Sequence, residues 1–497
     1  MTATRKSTEI KIGDVPLGSS NPIRLQSMTN TPTGDVKATV AQSIRIFDAG
    51  ADYVRISVPT MKDCESLALI KKELHKSGYG KPLIADIHFN PEIALEAARI
   101  VEKIRINPGN YTEKRVLKKA ISDSEYNLEI EKIHERILPL LKVCREYGTV
   151  IRIGSNHGSL SGRIVERYGN TAAGMVEAAM EFVRICEREG FYNLVLSMKA
   201  SSVNTMTEAG IMLQKAMEQS RYVYPQHLGV TEAGEGADGR IRSAAGISCL
   251  LAAGIGDTIR VSLSEPPENE IPVAAKILEY SKQLKVPAET NYLLVNKPFI
   301  ISNQSGKPEL LDPETDYLLE STSPGFRKMK KDDFLKQKGL LKKEYFEDNL
   351  TDFQIKAACE LSNDLRNQKV EAFLVSNKNF SPLEVDRTIL GILQALKIRI
   401  SGTEFISCPT CSRSGYDVGA LTRQIKARLP QAKGLKIAVM GCVVNGPGEM
   451  AGADYGFVGS KPGKVNLYKG SEEVLKNLNI MEAIDKLVEI IERDMEH

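Results

Sequence analysis

Eight short apolar runs alternate with longer helical patterns over the first half of the chain, and this alternation constrains the fold more than any other feature. The runs are IRLQSM (23–28), YVRISV (53–58), LIADI (83–87), KIRIN (103–107), VIRIG (150–154), LVLSM (194–198), HLGV (227–230) and TIRVSL (258–263). Strand–helix alternation predicts a parallel sheet, and eight units in about 250 residues match a closed (β/α)8 barrel of the TIM type. An open doubly wound sheet is the alternative, but SMTNTPTGD after the first run is not its glycine-rich turn.

Polar residues recur within or just after these runs, where TIM barrels place their active sites. A charged residue in an apolar strand is costly to bury unless it is paired or faces a polar cavity. Any single arginine could form an ion pair in the core, but the recurrence from strand to strand favours one shared site. The candidates are Arg55, Asp86, His88, Arg105, Asn107, Arg152, Asn156, Lys199, Glu232, Arg260 and Ser262.

Five of these candidates are cations that would converge on one barrel mouth: Arg55, Arg105, Arg152, Lys199 and Arg260. Together they call for an anion of about two charges or more, and arginine forks suit phosphate oxygens. The first half of the chain therefore predicts a phosphate- or diphosphate-binding site.

The overall charge gives no reason to expect a macromolecular anion as partner. The 497 residues include 66 basic and 63 acidic side chains, so we expect neither nucleic acid nor a membrane surface as a partner. The first residues lack the apolar region of a signal peptide, and no apolar run is long enough to span a bilayer. We expect a cytoplasmic protein, or a protein of the plastid stroma if the source is a plant.

Three of the eight cysteines form a constellation near the C-terminal end. Cys408 and Cys411 are a C-x2-C pair, and Cys442 follows in GCVVNGPGEM. A zinc site would require a fourth cysteine or histidine ligand, and the sequence around these three cysteines contains neither. A thioredoxin-like redox pair would leave Cys442 unexplained. A cubane iron–sulfur cluster with three thiolates and one other ligand fits, and Glu449 is the nearest candidate for the fourth position.

At SCPTCSRSGYDV and GCVVNGPGEM the sequence resembles the 4-hydroxy-3-methylbut-2-enyl diphosphate synthase family of the non-mevalonate isoprenoid pathway. The resemblance extends over the barrel, through QSMTNTPTGDV, RINPGN, IRIGSNHGSL, SMKAS, HLGVTEAGEG and GDTIRVSLSEPP. GSNHGSLS and VTEAGEGADGR are similar to the long form of the family, found in plants and some bacteria. The match covers about 1–283 and 389–497, and its motifs are long.

The resemblance implies an iron–sulfur oxidoreductase that reductively opens 2-C-methyl-D-erythritol 2,4-cyclodiphosphate to (E)-4-hydroxy-3-methylbut-2-enyl diphosphate. Electrons would enter one at a time through a [4Fe–4S] cluster from ferredoxin or flavodoxin. The implied cluster ligands are Cys408, Cys411, Cys442 and Glu449. The implied diphosphate contacts are Arg55, Arg105, Arg152, Asn156, Lys199, Arg260 and Ser262. Glu232 would transfer a proton to the departing oxygen, and Asp86 and His88 match further active-site residues.

Three domains are predicted: a barrel (1–283), an inserted domain or linker (284–388) and a small α+β cluster domain (389–497). The insert is rich in charge, and its stretch KMKKDDFLKQKGLLKKE is most simply a solvated helical surface. It is much shorter than the domain inserted in the long form. In the short form the cluster domain of one subunit caps the barrel of its partner, whereas in the long form closure within one chain is possible. We expect a homodimer.

Two readings from other classes remain as alternatives. One is a barrel transferase that acts on a phosphorylated substrate and holds a structural zinc. This alternative predicts a colourless protein that contains zinc. The other is a non-enzymatic iron–sulfur sensor, which would have no need of cations at the strand ends.

Overall fold

In the computed structural model, three bodies follow one another along the chain. The described residues are 6–87, 89–111, 121–284, 299–302, 317–319, 327–329, 339–367, 370–408, 414–429, 433–443, 446–450, 452–461 and 463–495. None of the helices within these ranges is both long and apolar enough to cross a membrane.

An N-terminal hairpin precedes the barrel and covers its N-terminal end. Its antiparallel strands are β1 (Ile10–Ile12) and β2 (Val15–Leu17). Ile12 and Leu17 pack in one apolar cluster with Tyr53 and Val150, which come from the first positions of two barrel strands. This end of the barrel is therefore apolar and covered.

Eight parallel strands form the barrel, and each of the eight predicted runs coincides with one of them, although β7 and β8 extend by one or two residues beyond their runs. They are β3 (Arg24–Met28), β4 (Tyr53–Ser57), β5 (Leu83–Asp86), β6 (Lys103–Ile106), β7 (Val150–Asn156), β8 (Leu194–Lys199), β9 (His227–Leu228) and β10 (Thr258–Ile259). Their order is β8-β7-β6-β5-β4-β3-β10-β9. A parallel bridge from Leu196 to Gln226 brings the two ends together. The prediction of a TIM-type barrel is confirmed.

Ten helices accompany the barrel strands in the described part of the chain. They are α1 (Val36–Asp48), α2 (Met61–Lys76), α3 (Pro91–Ile100), α4 (Pro108–Tyr111), α5 (Asp123–Tyr147), α6 (Gly162–Tyr168), α7 (Ala172–Arg188), α8 (Val203–Glu218), α9 (Gly236–Ala252) and α10 (Glu270–Ser281). Alternate strand residues such as Val54 and Ile56 face these helices and join the main apolar core. The residues between them, such as Arg55, therefore face the barrel interior, because side chains alternate along a strand.

The insert folds as an α/β unit on the outside of the barrel. Its parallel sheet has the order β13-β12-β11-β15-β14, with β11 (Phe299–Ser302), β12 (Tyr317–Leu319), β13 (Arg327–Met329), β14 (Leu340–Tyr345) and β15 (Ala372–Asn377). Helices α11 (Leu350–Asn367) and α12 (Pro382–Ala395) share an apolar core with the barrel helices α8, α9 and α10.

Two expectations for the insert differ from the structure. The helical surface predicted for KMKKDDFLKQKGLLKKE is wrong at both ends, because Arg327–Met329 and Leu340–Tyr345 are strands that pair with β12 and β15. Residues 330–338 of that stretch lie outside the described residues. The predicted boundary after residue 388 falls inside α12. This helix begins at the capping box of Ser381 and Glu384 and continues without a break past residue 388.

The C-terminal domain is a mixed five-stranded sheet in the order β16-β17-β18-β19-β20. The strands are β16 (Glu404–Ser407), β17 (Lys436–Met440), β18 (Tyr455–Lys461), β19 (Lys464–Lys469) and β20 (Glu472–Asn479). The helices are α13 (Val418–Arg428), α14 (Gly446–Glu449) and α15 (Ile480–Met495). The mixed sheet and its helices agree with the α+β character predicted for this domain.

Candidate active site

The five predicted cations all point into the barrel from its strands or from the residues that follow them. Arg105 and Arg152 lie side by side on paired strands, and Lys199 pairs with Asn156 at the next interface. Arg152 is 1% exposed and Lys199 is 4% exposed. The folding of β4, β6, β7, β8 and β10 into one ring therefore collects these cations at one place.

Two carboxylates hold part of this charge. Asp86 lies 3.5 Å from Nη1 of Arg105 and 3.9 Å from Nη2 of Arg55. Glu270, at the start of α10, lies 3.5 Å from Nε of Arg260. Asp86, predicted as an active-site residue, thus sits between two of the cations and orients them.

Arg152 and Lys199 form no ion pair with a carboxylate among the described residues. Arg152 donates from Nη1 to the Ser197 hydroxyl at 3.0 Å, while its Nε and Nη2 are buried without a hydrogen-bond partner in that part of the chain. Buried donors of this kind call for an ion or water that satisfies them. The barrel mouth is therefore arranged to accept an anion.

The electrostatics of the mouth agree with this arrangement. Burial, and after it the neighbouring Arg152, Arg55, Arg260 and Arg105, hold the pKa of Lys199 well below its ordinary value. Burial together with Arg55 and Arg105 lowers the pKa of Arg152, and Asp86 only partly opposes this. The charged forms of Lys199 and Arg152 are thus destabilised in the free protein, and a bound dianion would relieve that destabilisation.

Three predicted polar contacts lie at the same mouth. The Asn156 side-chain oxygen accepts a hydrogen bond from Nη2 of Arg105 at 3.3 Å. Ser262 is buried two residues after Arg260. Asn107 donates to Ser159 at 2.7 Å and so holds the turn after β7. His88, which follows β5, lies outside the described residues.

Glu232 lies in the loop after β9 in a conformation that non-glycine residues seldom adopt. Its φ is +49°, and it is 8% exposed. Gly234, with φ of +100°, continues this tight loop. Left-handed backbone at a bulky residue costs free energy and is concentrated at functional sites. The loop follows the C-terminal end of β9, the end of the barrel at which the cations lie.

Two of the predicted cluster ligands come from neighbouring parallel strands. Cys408 follows β16, and Cys442 follows β17 after one glycine. Because the strands are parallel, both cysteines lie at the same edge of the sheet. The Gly441 backbone N–H donates to the Cys408 sulfur at 3.2 Å. A Cβ at residue 441 would lie 2.3 Å from the Ser414 hydroxyl, so this close approach requires glycine.

The other two predicted ligands are only partly covered. Cys411 lies outside the described residues, and for Glu449 the structure describes the α14 backbone but not the side chain. Within the described residues no group of three or more His, Cys, Asp or Glu side chains is placed to hold a metal ion. The α14 helix lies against the turn His157–Ser159 at the barrel mouth.

The cysteine edge and the barrel mouth are joined by backbone pairing. Ala233, next to Glu232, forms a parallel bridge with Ser407, next to Cys408. The Ser264 hydroxyl lies 3.1 Å from both the Ser407 hydroxyl and the Cys408 carbonyl oxygen. The loop that carries Glu232 and the strand that precedes Cys408 therefore meet within one chain.

Several residues at this site were missed by the sequence reasoning. Lys103 and His227 are fully buried inside the barrel below the mouth, and Lys103 lies over the Tyr53 ring at 4.6 Å. Both stand in the predicted strands KIRIN and HLGV, so alternation with Arg105 and Gly229 could have placed them inside. Arg242 and Ser264, which contact the C-terminal domain, carried no such signal because their partners are more than 100 residues away.

A barrel whose mouth collects buried cations, joined to a small domain with cysteines at one sheet edge, defines a class of TIM-barrel enzymes with an appended ligating domain. Two family models match the chain: the GcpE TIM-barrel domain over residues 7–275 and the GcpE protein C-terminal domain over residues 404–493. These matches cover the barrel and the cysteine-bearing domain.

Curated relatives carry one shared name, 4-hydroxy-3-methylbut-2-en-1-yl diphosphate synthase (flavodoxin). The protein from Bacteroides thetaiotaomicron is 40% identical, with 99% of this chain and 98% of the relative covered. The Phocaeicola vulgatus protein is 39% identical, with 98% and 97% covered. The Leptospira interrogans protein is 36% identical, with 98% and 96% covered. The first alignment extends over 599 positions against a chain of 497 residues, so that relative has residues without a counterpart here.

The chain belongs to the GcpE family of 4-hydroxy-3-methylbut-2-en-1-yl diphosphate synthases. It is an iron–sulfur oxidoreductase of the non-mevalonate pathway, which reduces the methylerythritol cyclodiphosphate to hydroxymethylbutenyl diphosphate. The residues at the sheet edge fit an iron–sulfur cofactor. Two sulfurs lie on neighbouring strand ends, and one of them already accepts a backbone N–H, the kind of contact that tunes such centres.

Proposed function

We propose that the barrel mouth anchors the diphosphate of the cyclic substrate and that Cys408, Cys411, Cys442 and Glu449 hold a [4Fe–4S] cluster above it. When bound, the cluster would supply the two electrons one at a time. The observation that carries the proposal is the pairing of Ala233 with Ser407, which joins the loop that carries Glu232 to the strand that ends at Cys408. The buried cations beneath them provide the charge for the diphosphate.

Anchoring is the task of Arg55, Arg105, Arg152, Lys199 and Arg260, helped by Asn156 and Ser262. Arg152 offers two unused donor atoms in a water-poor site, where charge-assisted hydrogen bonds to phosphate are strong. Apart from Arg260 and Ser262, which follow β10, these residues stand on strands, so the carbon skeleton of the substrate would be held in one orientation.

Proton handling is assigned to Glu232. The reaction breaks one C–O bond to the diphosphate and one C–OH bond, takes up two electrons and two protons, and releases a water molecule. A hydroxyl leaves readily only when it is protonated. Glu232 is buried in the loop that pairs with the cysteine-bearing strand, and we assign the protonation to it, whereas Asp86 contacts Arg55 and Arg105. His88 is retained as a proposed active-site residue.

Glu449 is proposed as the fourth ligand because of where its helix lies. The α14 helix begins with the Gly446 N–H donating to the Cys442 carbonyl at 3.2 Å, and it rests against the His157–Ser159 turn. A Cβ at residue 446 would lie 2.7 Å from Val458, so glycine permits the approach. A carboxylate ligand on one iron would leave a position open to exchange.

Flavodoxin is the proposed electron donor, because the curated relatives bear its name. Ferredoxin, also expected from the sequence, is the other donor to assay. We further propose a cytoplasmic location, in keeping with the bacterial relatives. The homodimer stays a prediction, since the contacts between barrel and C-terminal domain described above form within one chain.

The test is spectroscopy followed by turnover on anaerobically purified protein. We expect a broad absorption near about 400 nm with about four irons per chain, typical of thiolate-bound cubanes. Reduced flavodoxin should then convert the cyclodiphosphate to the open diphosphate. A colourless protein with one zinc per chain would contradict the proposal and favour the alternative hypothesis of a barrel transferase.

A further inference from the structure

Arg242, a residue of α9 on the outside of the barrel, reaches across to the cysteine-bearing strand. Its Nη1 donates to the Phe405 carbonyl oxygen at 2.7 Å, and its Nη2 lies 3.5 Å from Glu404 Oε1. The side chain is buried, with 5% of the residue exposed. The guanidinium is thus enclosed between the barrel and the C-terminal domain.

The same guanidinium also contacts the loop that carries Glu232. Nη1 lies 3.4 Å from the Ala233 carbonyl oxygen. Ala233 in turn pairs with Ser407, one residue before Cys408. A single side chain therefore contacts backbone on both sides of the line where the proton-transfer loop meets the cysteine strand.

Charge strengthens this connection. Burial would raise the pKa of Glu404, but Arg242 and Lys397 outweigh it and hold that pKa below its ordinary value. Glu404 therefore remains a carboxylate facing Arg242. Hydrogen bonds from a charged donor in a buried site are stronger than neutral ones, and the rigid fork of arginine lets it serve several acceptors at once.

Away from Arg242 and from the contacts of Ser264 with Ser407 and Cys408, this domain interface is looser. Arg423 pairs with Glu235 at 2.6 Å, but its side chain is 60% exposed, and Lys426 lies 3.4 Å from Asp238 near the surface. A cavity of about 480 Å³ separates α9 and α12 from the C-terminal domain. Exposed ion pairs contribute little, so the alignment of the two halves depends on the few buried contacts.

We propose that Arg242 is a positioning residue, which fixes the Glu232 loop relative to the strand that delivers Cys408. It touches neither substrate nor cluster, and it acts through the backbone of Ala233 and Phe405. The inference rests on the proposed function, because it assigns Arg242 to the alignment of the two halves of that site.

The test compares Arg242→Gln and Arg242→Lys with Arg423→Gln, a matched control that removes an arginine from the exposed part of the same interface. Hydrogen–deuterium exchange on the full-length, metal-free chain is measured for peptides that cover 229–235 and 404–408. In parallel, the reconstituted enzymes are compared in kcat, in iron content and in their affinity for inorganic diphosphate.

For Arg242→Gln, exchange in both peptides should accelerate by about tenfold, because a charge-assisted contact on each side is lost. Its kcat should fall by about 10²-fold, the usual effect of a small misplacement of reacting groups. Iron content and diphosphate affinity should match those of the unsubstituted protein, and Arg423→Gln should leave every readout unchanged. Arg242→Lys retains the charge but lacks the planar fork that spans the three acceptors. Its kcat should therefore lie between that of Arg242→Gln and that of the unsubstituted protein.

Unchanged exchange in Arg242→Gln would overturn the proposal, as would a kcat equal to that of the unsubstituted protein. If Arg242→Gln does not fold, Arg242→Lys decides, and unaltered exchange and kcat in that variant would likewise overturn it. The exchange arm uses metal-free protein and so does not depend on turnover. A failure of the unsubstituted protein to convert the cyclodiphosphate would therefore contradict the proposed function and leave the structural part of this inference to be judged separately.

Discussion

At the barrel mouth the functional side chains are buried cations carried by strands, whereas at the edge of the C-terminal sheet they are partly exposed thiols on loops beyond strand ends. Arg152 and Lys199 are fixed by the barrel before any ligand arrives. Cys408 and Cys442 instead lie where two strands have already ended, held by contacts such as the N–H of Gly441. Burial thus suits the mouth to the proposed anion binding, and partial exposure suits the edge to the proposed cluster ligation.

This difference implies that the two regions can be damaged separately. Substitutions at the mouth should weaken anion binding without loss of iron. Substitutions at the edge should remove iron without weakening anion binding. Inorganic diphosphate serves as the probe of the mouth, because its binding does not require turnover.

The largest effect is expected from Cys442→Ser. Loss of one of the proposed thiolate ligands should remove most of the iron and abolish turnover, while titration calorimetry should show unaltered diphosphate affinity. Cys64→Ala is the control, since Cys64 is buried in α2 and burial raises its thiol pKa to about 11. Retention of full iron content and activity in Cys442→Ser would remove this residue from the ligand set.

The next largest effect is expected from Glu232→Gln. Removal of the acidic proton should lower kcat by about 10²–10⁴-fold, the range of general acid catalysis. Iron content and diphosphate affinity should stay the same. Glu235→Gln, three residues along in the same region, should have little effect because its partner Arg423 is exposed. Equal kcat losses in both variants would argue for a general disturbance of the loop.

A smaller effect is expected from Arg152→Met, which should weaken diphosphate binding but stabilise the protein in the absence of an anion. The dissociation constant for diphosphate should rise roughly 10- to 100-fold, because charge-assisted hydrogen bonds contribute about 1.5–3 kcal/mol. Without anion, the melting temperature should rise, since the substitution removes a buried cation crowded by Arg55 and Arg105. Arg24→Met, at the opposite end of the barrel, is the control for affinity. A lower melting temperature for Arg152→Met would show that the free mouth is already neutralised.

The smallest expected effect is the uptake of protons when diphosphate binds. Burial and the surrounding arginines lower the pKa of Lys199 in the free protein, and a bound diphosphate should raise it again. Binding should therefore take up protons, and affinity should fall as pH rises between the lowered and the raised pKa of Lys199. Calorimetry in buffers of different ionisation enthalpy measures the uptake, and Lys199→Met should abolish it. Proton release on binding would contradict the assignment.

The sequence predicted the barrel well because its signals are local. In each run, such as YVRISV, residues that face the helices alternate with residues that face the barrel interior. Eight such runs separated by helices are compatible with few sheet topologies. The cations followed from the same alternation. The strand at Leu340–Tyr345 was misread because LLKKEY has lysines typical of a helix surface, and only pairing with β15 makes it a strand.

The contacts between the domains could not be predicted in this way. Arg242 lies in a helix with ordinary spacing, and its partners Glu404 and Phe405 begin a strand that the sequence did not reveal. Such contacts depend on how two separately folded units dock. Local periodicity holds no information about docking, so residues of this kind emerge only from the folded structure.

The burial of the mouth cations also has a consequence for ionic conditions. Mobile ions screen charges on a protein surface within about 10 Å at 0.1 M salt, but buried charges are screened much less. Arg152 and Lys199 are almost wholly buried. Inhibition by salts should therefore follow the identity of the anion rather than ionic strength: sulfate should compete with the substrate, and chloride at equal ionic strength should have a much weaker effect.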